Sequence, residues 1–225
     1  MHLPGNRDSG KVQEGGGEVE VEHQLIDRLT GFESSLGLGI PSTREVAVGH
    51  ASGGALSRMK YAKLAIEGEL AVELSREPTE RDFFGSEVPP CVASVFPVIE
   101  LHNHVMRGEQ PSAGELIANN AIHAGFVAGS GVSRKDAGGD PSLAIFANDR
   151  LLEECEGATL IQTIRSSLQW LTKIVRDRGD RLSAGQIVLT GSIPSLISID
   201  EDCHVRVDTS PFGSVEVKFI TSPGS

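Results

Sequence analysis

The segment 64–74 alternates between two kinds of side chain over eleven residues, and this pattern limits most strongly what the chain can fold into. A period of two predicts a half-buried β-strand with one apolar face against a core. The other face carries Glu67, Glu69 and Glu73, and neighbouring side chains on one face of a strand lie about 6–7 Å apart. The apolar face is formed by Ile66, Leu70, Val72 and Leu74.

Two interpretations of this acidic face are open from the residues alone. Carboxylates this close repel one another unless a positive charge lies between them. A divalent cation would supply that charge, since hard cations bind carboxylate oxygens. The alternative is an ordinary strand face in contact with solvent, and the alternation does not choose between the two.

A second row of candidate ligands follows at residues 98–105, which the pattern also predicts to be a strand. Its alternation places Glu100, His102 and His104 on one face. Carboxylates and imidazoles are common metal ligands. Imidazole also titrates near neutral pH, so His102 and His104 are candidates for general acid–base catalysis.

The composition narrows the class of protein. The net charge is −11 with no basic cluster, so a nucleic-acid partner is not expected. Three widely spaced cysteines without a CxxC pair indicate neither a zinc knuckle nor a disulfide framework, and favour a cytoplasmic protein. The sequence has no long apolar run and no secretory signal pattern, so we expect no membrane partner.

The chain is predicted to form one α+β domain around a mixed sheet, preceded by a short tail. Residues 1–20 are polar and rich in glycine, which predicts a disordered tail, and residues 21–225 are assigned to the domain. The clearest helix has apolar residues from Ile161 to Val175 at spacings of 3 and 4, with Gly179 after it. Residues 91–96 are interpreted as a short helix that ends at Pro97.

Five short motifs then occur in a recognisable order, and together they resemble a known family. They are Ile66-Glu67-Gly68-Glu69-Leu70-Ala71, Pro97-Val98-Ile99-Glu100-Leu101, Ile117-Ala118-Asn119-Asn120, Trp170-Leu171 and Val188-Leu189-Thr190-Gly191-Ser192. This order is similar to the fumarylacetoacetate hydrolase superfamily, in its branch of 2-keto-4-pentenoate hydratases and 4-oxalocrotonate decarboxylases, over about residues 60–220. The resemblance implies a mixed β-sandwich roll with a few flanking helices, and a shortened N-terminal region.

The resemblance also implies a metal-dependent enzyme. It assigns Glu67, Glu69 and Glu100 as ligands of Mg²⁺ or Mn²⁺, leaves Glu73 in solvent, and makes a small 2-keto acid the substrate. The reaction it favours is hydration of a 2-hydroxydienoate by a hydro-lyase of aromatic catabolism. Alternatives are a decarboxylase, a C–C hydrolase of acylpyruvates, or a non-catalytic partner subunit. A homo-oligomer is expected.

Further site roles follow from the same motifs, with some departures from the family pattern. Asn120 and the donors around Thr190 and Gly191 are expected to bind the substrate. Asn103 and Asn119 stand where the branch carries aspartates, and an asparagine cannot act as a base. These departures leave the three metal ligands in place and leave the particular reaction open.

Overall fold

The computed structural model describes residues 49–106, 115–116 and 119–221, which form two β-sheets and one long helix. The helix, α1, spans Ala158–Asp177. The strands are β1 (Gly49–Ala51), β2 (Gly54–Ser57), β3 (Leu64–Leu74), β4 (Val92–Asn103), β5 (His123–Ala128), β6 (Val132–Ser133), β7 (Ser142–Ala147), β8 (Arg150–Glu156), β9 (Ile187–Leu189), β10 (Ile197–Ser198), β11 (Cys203–Ser210) and β12 (Gly213–Ile220).

Both sheets are mixed, which confirms the predicted α+β class. The first has the order β1-β5-β4-β3-β10, with β6 also paired to β4 and β9 to β3. The second has the order β2-β12-β11-β7-β8. β1 pairs with β5 and β2 with β12 in parallel, whereas the long pairs, including β3 with β4, are antiparallel.

The main core lies between the two sheets, under the apolar face of β3. A methyl group added at Gly68 would lie 2.8 Å from Cδ1 of Ile145 and 3.0 Å from Cγ2 of Val207, so the two sheets are closely packed at this glycine. The prediction that β3 is only half buried is wrong. On its other face Glu69 is 1% exposed and Ala71 is fully buried, because Ala71 packs with Phe96 and Val98 in a second apolar cluster.

The predicted helix at residues 91–96 is also wrong, because these residues belong to the long strand β4. Pro97 lies inside the strand, opposite Leu70. The carbonyl of Pro97 accepts from the backbone N–H of Gly129 at 3.0 Å, so its ring nitrogen faces the same side of the strand. On that side the partner of β4 changes from β6 to β5, and the missing N–H therefore costs no ladder hydrogen bond.

The predicted strand at residues 98–105 forms the second half of β4, which ends at Asn103, and the predicted helix is present as α1. α1 buries the predicted stripe against β3, and the hairpin of β7 and β8 turns at Asn148 and Asp149, both with positive φ. The predicted tail at residues 1–20, and residues 107–114 and 117–118 shortly before Asn120, lie outside the described residues. Within the described part of the chain, no helix is long and apolar enough to cross a membrane.

Candidate metal centre

The two predicted ligand rows meet because β3 and β4 are antiparallel neighbours. The register places Glu67 directly opposite Glu100. Residues directly opposite in an antiparallel pair project to the same face, so the two carboxylates share one side of the sheet. Glu69 lies two residues further along β3 on that side, opposite Val98. The strand pairing thus brings together the three predicted metal ligands.

His102 joins the carboxylates on this face. Its Nε2 lies 3.6 Å from Oε2 of Glu67 and 3.7 Å from Oε2 of Glu100, and the side chain is 2% exposed. One donor atom from each of Glu67, Glu100 and His102 lies within 4.8 Å of the other two. This group of potential ligands among the described residues therefore contains an imidazole and two carboxylates, and Glu69 is not a member of it.

His123, which the sequence analysis missed, contacts Glu100 directly. Its Nδ1 lies 2.5 Å from Oε1 of Glu100, and a shift of register between Leu101 and His102 sets His123 opposite His102. The residue follows a turn, Asn120–Ile122, in which all three residues have φ between 51° and 59°. In the sequence, a single histidine outside the recognised motifs carries no signal of this contact.

The charges around Glu100 favour its ionised form. Burial alone would raise the pKa of this carboxyl, but in the metal-free protein a protonated His102 and the hydrogen bond from His123 outweigh this effect, so the pKa lies below its usual value. A hydrogen bond with the Glu69 carboxyl group acts in the same direction. Glu100 is thus the carboxylate at which Glu69, His102 and His123 converge.

Thr190 and Gly191 lie close to Glu69. Together with Glu69 they border a small cavity at β3. The Thr190 hydroxyl donates to the carbonyl of Leu70 at 2.7 Å, and its backbone N–H donates to the same carbonyl at 3.2 Å. Both donors of Thr190 therefore hold the segment after β9 against β3, and the role in substrate binding predicted for Thr190 and Gly191 stays a prediction.

The remaining predicted site residues lie around the end of β4. Asn120 is partly exposed and begins the left-handed turn before His123. His104 follows the last residue of β4 and is partly exposed, while its backbone N–H donates to the carbonyl of Lys63 at 3.0 Å. Asn103 accepts from the backbone N–H of Ala62 through its side-chain oxygen at 2.7 Å. Asn103 thus supports the loop before β3, and the roles of Asn120 and His104 stay predictions.

The donor set suits a divalent cation. Glu67, Glu69 and Glu100 crowd up to three negative charges onto one largely buried face, and buried charges are stable only when paired or bound to a metal. Carboxylate oxygens bind Mg²⁺ and Mn²⁺, and imidazole nitrogen binds transition metals. Glu73, on the same strand, instead accepts a 3.3 Å hydrogen bond from Ser94.

Comparison with known proteins points to one family. The family described as "Fumarylacetoacetate (FAA) hydrolase C-terminal" matches residues 42–219. A 4-oxalocrotonate decarboxylase of Pseudomonas putida is 22% identical over 170 residues, covering 75% of this chain and 64% of that protein. The chain thus spans just under two thirds of the length of this curated relative.

Solved structures share the fold. The 4-oxalocrotonate decarboxylase of Pseudomonas putida, complexed with magnesium and adipate, aligns with a TM-score of 0.65 and 19% identity over 76% of this chain and 66% of that one. Fumarylpyruvate hydrolase from Pseudomonas aeruginosa, in complex with Mn²⁺ and pyruvate, aligns with a TM-score of 0.59 and 12% identity over 78% of this chain and 75% of that one. The two sheets therefore form the mixed β-sandwich roll implied by the sequence motifs.

Proposed function

The chain belongs to the fumarylacetoacetate hydrolase family, and on that premise we propose that it is a divalent-metal-dependent enzyme that acts on a small 2-keto acid. The observation that carries the proposal is the pairing of Glu67 with Glu100 across β3 and β4, with Glu69 on the same buried face. These three carboxylates are the proposed ligands of Mg²⁺ or Mn²⁺.

The class of substrate is supported by the relatives. One solved relative holds magnesium with adipate and another holds Mn²⁺ with pyruvate, which is itself a 2-keto acid. A 2-keto acid offers a carboxylate and a keto oxygen at adjacent carbons, and both can bind one cation. A bound cation would supply Lewis-acid stabilisation of the enolate that forms when such a substrate loses a proton, or loses CO₂ from a second carboxylate conjugated with the keto group.

Decarboxylation is the reaction that the relatives favour. The curated relative described above is a decarboxylase, whereas the hydration preferred from the sequence motifs has no counterpart among the relatives described here. Hydration and acylpyruvate hydrolysis remain the alternatives. All three reactions need an enolate at the same position, so the proposed roles of the carboxylates are common to them.

The other side chains have separate roles in this proposal. His123 orients Glu100 through its hydrogen bond, and Thr190 fixes the position of Gly191 through its bonds to Leu70. The backbone N–H of Gly191 and the side chain of Asn120 hold the substrate carboxylate. His104 carries the proton, as predicted for His102 and His104 from the sequence. A homo-oligomer in the cytoplasm also remains a prediction.

Calorimetric titration of the metal-stripped protein with Mn²⁺, with and without oxalate, tests the proposal. Oxalate reproduces the chelating end of a 2-keto acid. We expect Mn²⁺ to bind to the wild-type protein and oxalate to raise the Mn²⁺ affinity. We expect Glu100→Gln to abolish Mn²⁺ binding. Glu73→Gln is the matched control, since Glu73 lies on β3 outside the proposed site. Failure of the wild-type protein to bind Mn²⁺ would overturn the proposal.

Turnover separates an enzyme from a binding subunit. The Mn²⁺-loaded protein is incubated with an unsaturated 2-keto dicarboxylate, and release of CO₂ and loss of the conjugated absorption are measured. We expect CO₂ release that Glu67→Gln removes and Glu73→Gln leaves unchanged. Tight binding of Mn²⁺ and oxalate without turnover on such acids would instead support the non-catalytic alternative.

A further inference from the structure

We infer that His102 is itself a metal ligand, and that the site takes a divalent transition-metal ion in preference to Mg²⁺. The inference rests on the proposed metal site and deepens it. The sequence motifs assign ligands that are all carboxylates, whereas the imidazole chemistry of His102 made it a candidate for proton transfer. The structure places the His102 imidazole among those carboxylates, which changes both the ligand set and the metal it prefers.

The separations of the donor atoms fit binding to one ion. Ligand atoms of a divalent transition metal lie about 2.1 Å from it, so two of them can be no more than about 4.2 Å apart. Nε2 of His102 lies 3.6 Å from Oε2 of Glu67 and 3.7 Å from Oε2 of Glu100. Both separations exceed the usual 2.7–3.2 Å of a hydrogen bond from a ring nitrogen. The imidazole thus faces both carboxylates at spacings suited to shared ligands.

The fold holds His102 on the same face of the sheet as Glu67 and Glu100. This residue lies on β4 two residues after Glu100, so the pleat directs both side chains to one face. His102 is 1% exposed, and the opposite residue on β3 is Ala65, whose small side chain leaves the face of β3 open to the ring. A buried ring held on a central strand is a preorganised ligand.

The chemistry of the ligands determines the choice of ion. Mg²⁺ binds oxygen ligands and retains several waters, whereas imidazole nitrogen also binds Zn²⁺ and binds the other transition metals with an affinity that rises from Mn²⁺ through Fe²⁺ and Co²⁺ to Ni²⁺. A site built only from Glu67, Glu69 and Glu100 would accept Mg²⁺ and Mn²⁺ alike. Adding one imidazole raises the affinity for the transition metals and leaves that for Mg²⁺ almost unchanged.

The rival explanation is an ion pair. A protonated His102 would itself neutralise Glu67 and Glu100, and no metal would contact its nitrogen. The two explanations differ in what is bound to Nε2. Electron spin-echo spectroscopy of bound Mn²⁺ detects a directly coordinated nitrogen, and this readout does not depend on turnover.

The experiment uses the full chain, stripped of metal and then loaded with Mn²⁺. We expect nitrogen coupling in the wild-type protein, a change of coupling pattern when the histidines carry ¹⁵N, and loss of the coupling in His102→Gln. Calorimetry should show that His102→Gln lowers the ratio of Mn²⁺ affinity to Mg²⁺ affinity by about tenfold or more. The reason is that even residues that only hydrogen-bond to a metal ligand change metal affinity by about 10–100-fold when they are replaced. His204→Gln is the matched control, because His204 lies on β11 and pairs with Glu216.

The outcomes separate this inference from the proposed function. Mn²⁺ binding without nitrogen coupling in the wild-type protein would overturn the role of His102 and leave the carboxylate site intact. Coupling that persists in His102→Gln would also overturn it, and would point to another histidine. Absence of any metal binding would overturn both proposals. Should His102→Gln fail to fold, His102→Asn replaces it, and the labelled wild-type spectrum decides whether an imidazole binds at all.

Discussion

His123 Nδ1 lies 2.5 Å from Oε1 of Glu100, and this contact joins β5 to the carboxylate at the centre of the candidate site. An ionised carboxylate can only accept hydrogen bonds, so the proton lies on Nδ1 and His123 is the donor. The contact fixes the direction of one oxygen of Glu100. Nε2 of His123 is buried and has no hydrogen-bond partner among the described residues.

Replacing His123 should weaken metal binding more than it weakens the fold. Without the Nδ1 donor, Glu100 can rotate, and loss of a partner that orients a metal ligand costs about 10–100-fold in metal affinity. We therefore expect His123→Ala to lower the affinity for Mn²⁺ by that range in calorimetric titration. The free energy of unfolding, measured in urea without metal, is the companion measurement.

A variant that keeps a hydrogen-bond donor at residue 123 shows whether His123 acts by orienting Glu100 or only by filling space. The side-chain amide of asparagine places an N–H close to where Nδ1 of histidine lies, so His123→Asn should retain most of the Mn²⁺ affinity that His123→Ala loses. Equal loss in both variants, or a loss no greater than in His204→Gln on the other sheet, would contradict the positioning role.

Gly68 is predicted to be essential for the spacing of the two sheets. A Cβ at this position would lie 2.8 Å from Cδ1 and 2.9 Å from Cγ1 of Ile145, closer than real side chains pack. We expect Gly68→Ala to cost about 1–3 kcal/mol in the free energy of unfolding, as over-packed cores do. Because Gly68 separates Glu67 from Glu69, Mn²⁺ affinity should fall as well.

A second substitution tests the cause of that loss. Ile145→Val removes Cδ1, the atom nearest to the added methyl group. The double variant should therefore be less destabilised than the sum of the two single variants, as a double-mutant cycle in urea would measure. Additive losses would mean that the effect of Gly68→Ala arises elsewhere.

The alternation in β3 was enough to predict a strand and to place Glu67 and Glu69 on one face, because a period of two is a local property of the chain. It could not predict that this face is buried. Its covering comes from residues distant in sequence, among them Phe96, Phe126 and Leu189. The wrong prediction of a helix at residues 91–96 has the same cause, because pairing between strands is not visible in the local sequence. Pro97 fits inside β4 only because the neighbouring strand on that side changes from β6 to β5 at this residue.

The centre itself depends on strand register, which local sequence does not specify. Glu100 faces Glu67 because of the pairing of β3 with β4. His123 reaches Glu100 because of a register shift between β4 and β5 and a left-handed turn at Asn120–Ile122. The family resemblance supplied the three carboxylates in advance. It could not supply the contact with His123 or the place of His102 among the ligand atoms, which are properties of this chain's own residues.

Thr190 provides a test of a predicted substrate-binding side chain. Its hydroxyl donates to the carbonyl of Leu70 at 2.7 Å and is buried, so Thr190→Val should cost about 1–2 kcal/mol of stability. We expect the affinity for oxalate in the presence of Mn²⁺ to stay at the wild-type value, because the backbone N–H of residue 190 still donates to the carbonyl of Leu70 and keeps Gly191 in place. A fall in oxalate affinity beyond that of Ser167→Ala, which removes the bond to the Thr190 carbonyl, would mean that the hydroxyl contacts the ligand.

Acid stability should depend on an ion pair remote from the centre, between Arg76 and Asp82. Asp82 is 3% exposed, and it accepts from the Arg76 guanidinium and from the backbone N–H and hydroxyl of Thr79 at 2.7 and 2.8 Å. These bonds, led by that from Arg76, lower the pKa of Asp82 from 3.8 to about 2. As the pH falls, the unfolded chain binds the proton first, because there Asp82 keeps its ordinary pKa of 3.8. The stabilisation of the fold by ionised Asp82 is therefore complete at pH values above 3.8 and is lost as the pH falls through about 2.

Asp82→Asn removes this dependence. Ionised Asp82 contributes about 1–2 kcal/mol to the free energy of unfolding, a figure that allows for the screening of the partly exposed Arg76 by water. We expect the variant to lose that amount at neutral pH, and its free energy of unfolding to change less than that of the wild type between about pH 4 and pH 2. Asp202→Asn is the control, because Asp202 also has a pKa of about 2 through Thr221 and Arg58, but is half exposed. Water replaces its partners readily, so this variant should lose less stability, and an equal loss would contradict the role of burial at Asp82.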